Sequence, residues 1–142
     1  MSNTPIVLDK TVYSVSATAV AGRAGKVTTD DGSLDLELVM PGSGKPGPNP
    51  EALFAAGYAG CFSSAIQGLA RRQKITTGPM AVTMTVGLGP SGETWGLSVK
   101  IRVALPELPR AQAQELLEAA HRTCPYSNAI KGNVGVDIAL AE

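Results

Sequence analysis

Asn49-Pro50-Glu51-Ala52-Leu53-Phe54-Ala55-Ala56-Gly57-Tyr58-Ala59-Gly60-Cys61-Phe62-Ser63-Ser64-Ala65-Ile66-Gln67-Gly68-Leu69 is the stretch that decides the fold. Leu53, Phe54, Gly57, Tyr58, Cys61, Phe62, Ala65, Ile66 and Leu69 recur at spacings of three and four, which makes one apolar stripe on a helix. Asn49 can cap that helix, and Pro50 suits its first position, where a backbone N–H would be unpaired anyway. Arg71, Arg72 and Lys74 follow at its C-terminal end, where positive charge is favoured. Ala55, Ala56, Gly57, Ala59 and Gly60 line much of the remaining surface. Each Gly costs about 1 kcal/mol of helix propensity against Ala, a cost that close packing of another backbone would explain. The spacing therefore predicts a long central helix buried on several sides.

On the N-terminal side, Tyr13, Val15, Ala17 and Ala19 alternate with Ser14, Ser16 and Thr18, which predicts a strand over 12–20. Gly22-Arg23-Ala24-Gly25 reads as a turn and Lys26–Thr29 as a second strand. Asp31-Gly32 is a hairpin signal, and Leu34, Leu36 and Leu38 give a third strand. The stretch 41–50 carries Gly or Pro at seven of ten positions and is a loop. On the C-terminal side, Val82, Met84, Val86 and Leu88 predict a strand, 89–94 a loop, and Trp95 to Leu105 another strand. A second helix is expected at about 110–122, with one more turn over 127–131 after Pro125. Val134, Val136, Ile138 and Leu140 close the chain as a strand. The order βββ-α-ββ-α-β is α+β, mostly antiparallel sheet with helices.

The chain has 142 residues, a length that fits one domain over 1–142. Hydrophobic residues make up 44% and charged residues 17%, which is enough apolar material for a core. Twelve Lys plus Arg balance twelve Asp plus Glu. A neutral chain with no basic block is a poor match for nucleic acid or an anionic membrane. No continuous apolar run approaches the roughly 18 residues of a membrane span, and 1–10 lacks the apolar stretch of a secretory signal. These readings place the protein in the cytoplasm.

Cys61 and Cys124 are the only cysteines and His121 the only histidine. A cytosolic setting disfavours a purely structural disulfide, and no C-x-x-C is present. A zinc site from these three residues and a carboxylate matches no familiar ligand spacing, so no metal is expected. Two buried, inert thiols are the plain reading of composition alone. Burial by itself would raise the Cys61 pKa, so a nucleophilic Cys61 needs a cation or hydrogen-bond donors nearby. Arg23, in its glycine-flanked turn, is a candidate. Cys124 begins Cys124-Pro125-Tyr126-Ser127 at a helix end, where the chain moves more easily than in mid-helix. A mobile thiol facing a fixed one is what a resolving cysteine requires.

The segment from Asn49 to Phe62 resembles the helix signature of the organic hydroperoxide resistance (Ohr) proteins, a branch of the OsmC-like group. His121-Arg122-Thr123-Cys124-Pro125-Tyr126-Ser127-Asn128-Ala129, followed by Gly132-Asn133, is similar to their second signature. Gly22-Arg23-Ala24-Gly25 and Asp31-Gly32-Ser33-Leu34-Asp35-Leu36 match the N-terminal part. The resemblance runs from about Tyr13 to Leu140, and Pro125-Tyr126-Ser127 favours Ohr over its OsmC cousins. One departure is Pro48, where the family commonly has Thr; it stiffens the loop before the helix.

That resemblance implies the OsmC-like fold, with antiparallel sheets around the long helix in an intertwined homodimer. It implies a thiol peroxidase acting on organic hydroperoxides, those of fatty acids included. Cys61 would be the peroxidatic thiolate and Cys124 the resolving thiol, joined in an intramolecular disulfide. Arg23 and Glu51 would be the charged pair that organises the site, with Arg23 lowering the Cys61 pKa. Phe54, Tyr58, Phe62 and Tyr126 would supply apolar surroundings for substrate. No bound cofactor is implied; the reductant would be an external lipoyl dithiol, dihydrolipoamide or a lipoylated protein. Glu51 and Cys61 are ten residues apart, roughly 15 Å along one helix. Either Arg23 bridges that distance, or Glu51 of one subunit approaches Cys61 of another, which the small-sided helix favours. The alternatives are an OsmC-type peroxidase of broader range and a non-enzymatic redox-sensing dimer. A peroxiredoxin is excluded, because P-x-x-x-T-x-x-C precedes neither cysteine.

Overall fold

The computed structural model describes residues 4–142; residues 1–3, which open the stretch read for a secretory signal, lie outside the described residues. The chain divides into two compact units, Met1–Leu53 and Phe54–Glu142.

The first unit carries a three-stranded antiparallel sheet. Its strands are β1 (Ala17–Val20), β2 (Lys26–Thr29) and β3 (Asp35–Glu37), in that order across the sheet. β1 is shorter than the alternation over 12–20 predicts. Ala17 pairs with Thr29, the last residue of β2; Ser16 still bonds Asp30 in the turn, and the described residues before it pair with no strand. The β1–β2 connection is a one-turn 3-10 helix, Gly22–Ala24, that carries Arg23. Gly22 has φ +61°, and a Cβ on Gly25 would lie 1.7 Å from the Val20 carbonyl oxygen. Only glycine fits at that second position, so the G-R-A-G spacing is a steric requirement. The β2–β3 hairpin turns at Asp31-Gly32 as predicted, with Gly32 at φ +74°. Asp31 Oδ1 accepts bonds from the Ser33 N–H and from the Ser33 and Thr29 hydroxyls.

Helix α1, Pro50–Arg72, begins in the first unit and runs through the second. The Ala52 N–H donates to Asn49 Oδ1 at 2.8 Å, which is the cap the sequence predicts. Tyr58, Phe62, Ile66, Leu69 and Ala70 are its buried residues, four of them on the predicted stripe.

The second unit adds β4 (Ala81–Ser91), β5 (Thr94–Ala104) and β6 (Val136–Leu140), ordered β4-β5-β6. The predicted 89–94 loop is mostly strand. β4 pairs with β5 out to Ser91 and Thr94, leaving only Gly92-Glu93 as a two-residue turn with Gly92 at φ +59°. Pro90 is tolerated because β4 is an edge strand. The sheet is also not wholly antiparallel: β6 runs parallel to β5. A parallel pair needs a crossover, and helices α2 (Arg110–Thr123) and α3 (Pro125–Ile130) provide it. Val99, Ile101 and Val103 of β5 meet the α1 stripe and Ala113, Leu116, Leu117 and Ala120 of α2 in one core. Burial of each larger side chain there stabilises the unit by roughly 1.5–3 kcal/mol.

α1 is long and apolar enough to cross a membrane by length and composition, which no continuous apolar run in the sequence anticipates. Its stripe is instead a core face of the second unit.

Candidate active site

Two helices bring the sulfurs together. Cys61 lies in mid-α1 and is half-buried; Cys124 is the junction residue between α2 and α3 and is fully buried. Pro125 forces the residue before it out of helical geometry, and Cys124 is extended, with ψ 125°. The Cys124 thiol donates to Cys61 Sγ at 3.4 Å, and both cysteines are free. A disulfide needs about 2.05 Å, so the sulfurs must approach by roughly 1.4 Å to bond. The sequence places the mobile thiol at Cys124. The structure holds it at 0% exposure, with its N–H on the Ala120 carbonyl and its own carbonyl accepting from Asn128. Of the two sulfurs, Cys61 is the one with surface to offer.

Burial pushes the Cys61 pKa up, and the hydrogen bond and charge of Cys124 add to that rise. A hydrogen bond from the Tyr126 backbone N–H opposes it. The surroundings of Cys61 inside residues 54–142 therefore disfavour the thiolate, opposite to the lowering expected from Arg23.

The aromatic side chains divide into two kinds. Tyr58 and Phe62 are fully buried core residues and present no surface to a ligand. Phe54 and Tyr126 keep some exposure, 39% for Tyr126, and their rings meet edge-on at 6.3 Å. The Tyr126 hydroxyl occupies the space beside Gly57, where a Cβ would come within 2.8 Å of it. That contact gives one of the costly α1 glycines its reason.

In the first unit, Arg23 and Glu51 form a bidentate ion pair. Nη1 donates to Oε2 at 2.7 Å and Nη2 to Oε1 at 2.6 Å. Hydrogen bonding to Arg23 lowers the Glu51 pKa, and hydrogen bonding to Glu51 raises that of Arg23. The guanidinium side chain remains 38% exposed against 14% for the carboxylate. Glu51 holds a fixed cation that still has donors to offer.

Sequence reasoning did not find Ser127, and it considered His121 only as a metal ligand. Ser127 Oγ is 2.5 Å from the Tyr58 hydroxyl and 2.9 Å from His121 Nδ1. Both residues lie in the segment around Cys124, which is a signal of place without a signal of role.

The OsmC-like protein family matches residues 42–139. An organic hydroperoxide resistance protein from Xanthomonas axonopodis pv. citri is 41% identical over 138 residues, covering 94% of this chain and 97% of that one. The crystal structure of the organic hydroperoxide resistance protein OhrB of Bacillus subtilis superposes with a TM-score of 0.86 at 41% identity, over 92% of this chain and 100% of that one. An organic hydroperoxide resistance protein from Legionella pneumophila gives 0.88 at 42% identity, over 94% and 100%.

Proposed function

This chain belongs to the OsmC-like family, among the organic hydroperoxide resistance proteins, and from that premise we propose that it is a cysteine-based peroxidase. The observation that carries the reading is the 3.4 Å approach of two free sulfurs, one half-buried and one fully buried. The Cys61 thiolate attacks the outer peroxide oxygen. The S–O bond forms as the O–O bond breaks, and the alkoxide takes a proton and leaves as an alcohol. Cys61 is now a sulfenic acid. Cys124 Sγ attacks it, the S–S bond forms, and hydroxide leaves with the thiol proton as water. An external dithiol of the lipoyl class, dihydrolipoamide or a lipoylated protein, returns both thiols by exchange. The work is done in the cytoplasm, where such dithiols stay reduced.

The raised Cys61 pKa makes a cation necessary for the first step. We assign that task to Arg23, positioned by Glu51, and place it in a homodimer. Two observations support a second copy. Every described residue from 4 to 20 is exposed, and these include Ile6, Val7, Leu8, Val12, Tyr13 and Val15. Along α1, Ala52, Ala56, Gly60 and Ser64 form an exposed stripe of small residues at every fourth position. Phe54 and Tyr126, the two of the four expected aromatic contacts that keep surface, are the proposed contacts for an organic substituent.

Turnover with an organic hydroperoxide and dihydrolipoamide tests the reading in wild type, Cys61→Ser and Cys124→Ser. Wild type turns over, Cys61→Ser does not, and Cys124→Ser accumulates a trappable sulfenic acid. Disulfide formation once, without turnover, would make the protein a redox sensor. No thiol loss in wild type would remove the peroxidase reading.

A further inference from the structure

Tyr58 precedes Cys61 by three residues, and Ser127 follows Cys124 by three. On a helix that spacing is one turn on one face. The Tyr58–Ser127 bond and the Cys61–Cys124 contact are therefore two rungs of one ladder between α1 and the α2–α3 junction. Tyr58 and Ser127 are shut from solvent, at 0% and 2% exposure. A third member, His121 from the last turn of α2, reaches Ser127 from the half-buried side, with its ring beside Phe62.

The chain Tyr58–Ser127–His121 has two ways to share its protons. In one, Tyr58 donates to Ser127, and Ser127 donates to Nδ1 of a neutral imidazole. In the other, Nδ1–H donates to Ser127, Ser127 donates to Tyr58, and the Tyr58 proton is free for another acceptor. The first satisfies both buried hydroxyls; the second requires a proton on Nδ1 and leaves the Tyr58 proton to find another acceptor. Burial raises the Tyr58 pKa, the Ser127 hydrogen bond opposes that rise, and the charge of the two sulfurs adds to it. Burial and Lys131 lower that of His121, so the neutral ring that this chain requires is favoured. An apolar packing residue would serve the core as well as Ser127 does, which leaves the hydroxyl itself to be explained.

We propose that Tyr58, Ser127 and His121 form a buried positioning relay that governs the condensation of Cys124 with oxidised Cys61. This rests on the assignment of Cys61 and Cys124 as a redox pair. The relay holds the α3 turn against α1 so that Cys124 Sγ stays in line with Cys61 Sγ. As the S–S bond forms, the Cys124 thiol proton, already directed at Cys61, passes to the departing hydroxide, which leaves as water. No further oxidant or co-reactant enters.

The test mixes reduced protein rapidly with one equivalent of an organic hydroperoxide. It follows Cys61 oxidation by trapping with a cyclic dicarbonyl, and disulfide closure by loss of the second thiol. Tyr58→Phe, Ser127→Ala and His121→Gln are each expected to lower the ratio of closure rate to oxidation rate about tenfold, the effect of one lost hydrogen bond. The half-buried His121→Gln keeps the comparison open should a core variant misfold. Wild-type closure should slow as falling pH protonates His121, whose Nδ1 then no longer accepts from Ser127, and His121→Gln should abolish that pH dependence, which a purely structural role would leave in place. The double variant Tyr58→Phe/His121→Gln should be no slower than the worse single, as members of one chain are not additive. Wild-type closure rates in all three variants, or slower closure in His121→Gln with an undiminished pH dependence, would overturn the relay. Should hydroperoxide leave wild-type Cys61 unoxidised, the peroxidase reading fails by itself. Closure is then started from a Cys61 mixed disulfide with a small aromatic thiol, and the same ratios decide the relay.

Discussion

The two units of this chain solve the problem of burial differently. Residues 54–142 build their own core: α1, β5 and α2 close on Tyr58, Phe62, Ile66, Ile101, Leu116 and Leu117, all essentially without exposure. The three strands of the first unit enclose no such core. All four residues of β1 are exposed, and Leu38 is the one buried hydrophobic among the described residues before Leu53. The chemistry is split along the same line. The sulfurs sit in the self-sufficient unit, while the ion pair sits in the one that leaves its apolar surface open. The lesson is that the two thiols lie in a unit with a dry core of its own, whereas the ion pair is carried on a unit whose apolar side chains stay largely exposed.

The largest expected effect concerns the frame's own chemistry. Cys61→Ser should lose at least about a thousandfold in hydroperoxide turnover, since the attacking sulfur is removed while binding remains. Steady-state assay with unchanged circular dichroism checks it; residual activity near wild type would place the chemistry elsewhere. Phe62→Ala should cost about 3–5 kcal/mol in chemical denaturation, the range for a fully buried aromatic. A loss below about 1 kcal/mol would deny the second unit its separate core. Arg23→Ala should slow Cys61 oxidation about a hundredfold in stopped flow with the fold intact, the scale of a lost electrostatic contact in a transition state. An unchanged rate would confine the ion pair to a structural role. Val15→Asp should leave the thermal midpoint of isolated chains within a few degrees yet shift sedimentation toward monomer, because it charges a surface that a copy would cover. Unaltered sedimentation of a dimer would show that this surface is not the interface.

The smallest effect is a pH dependence in the first unit. Hydrogen bonds from Ser33 and Thr29 lower the Asp31 pKa from 3.8 to about 2. A lowered carboxyl pKa adds stability above its unfolded value and loses it as pH falls through the folded one. The β2–β3 hairpin should therefore loosen between pH 4 and pH 2, read by amide exchange at Gly32 and Ser33. Asp31→Asn should flatten that dependence, and an equal slope in the variant would show that another group is responsible.

Much of this was legible before any coordinates. The α1 stripe has a period that only a helix satisfies, and Asn49-Pro50 marks its start chemically. Asp31-Gly32 names its turn because few residues accept that backbone geometry. Boundaries that depend on a partner strand were less legible. Tyr13 and Val15 alternate as a strand would, but β2 ends too soon to pair with them. Conversely, 89–94 looks like a loop by composition, yet edge pairing makes strand of all but its tip. The parallel run of β6 along β5 leaves no local mark, since both directions use the same alternation. Tyr58 reads as one more apolar ring on a stripe; that its hydroxyl finds Ser127, 69 residues away, is written nowhere in its neighbourhood.

The sequence by itself determined most of the elements, the helix cap and the glycine turn around Arg23, and its three matched segments carried the family resemblance. The elements, the cap and the turn follow from short-range sterics and periodicity, which act between residues a few positions apart. Only the tertiary structure decided that Cys124 is fully buried and that the sulfurs lie within 3.4 Å. It also decided that the Cys61 pKa rises and that a histidine is joined to a buried tyrosine. Those depend on which surfaces the core brings together, and burial and hydrogen bonding are properties of that meeting.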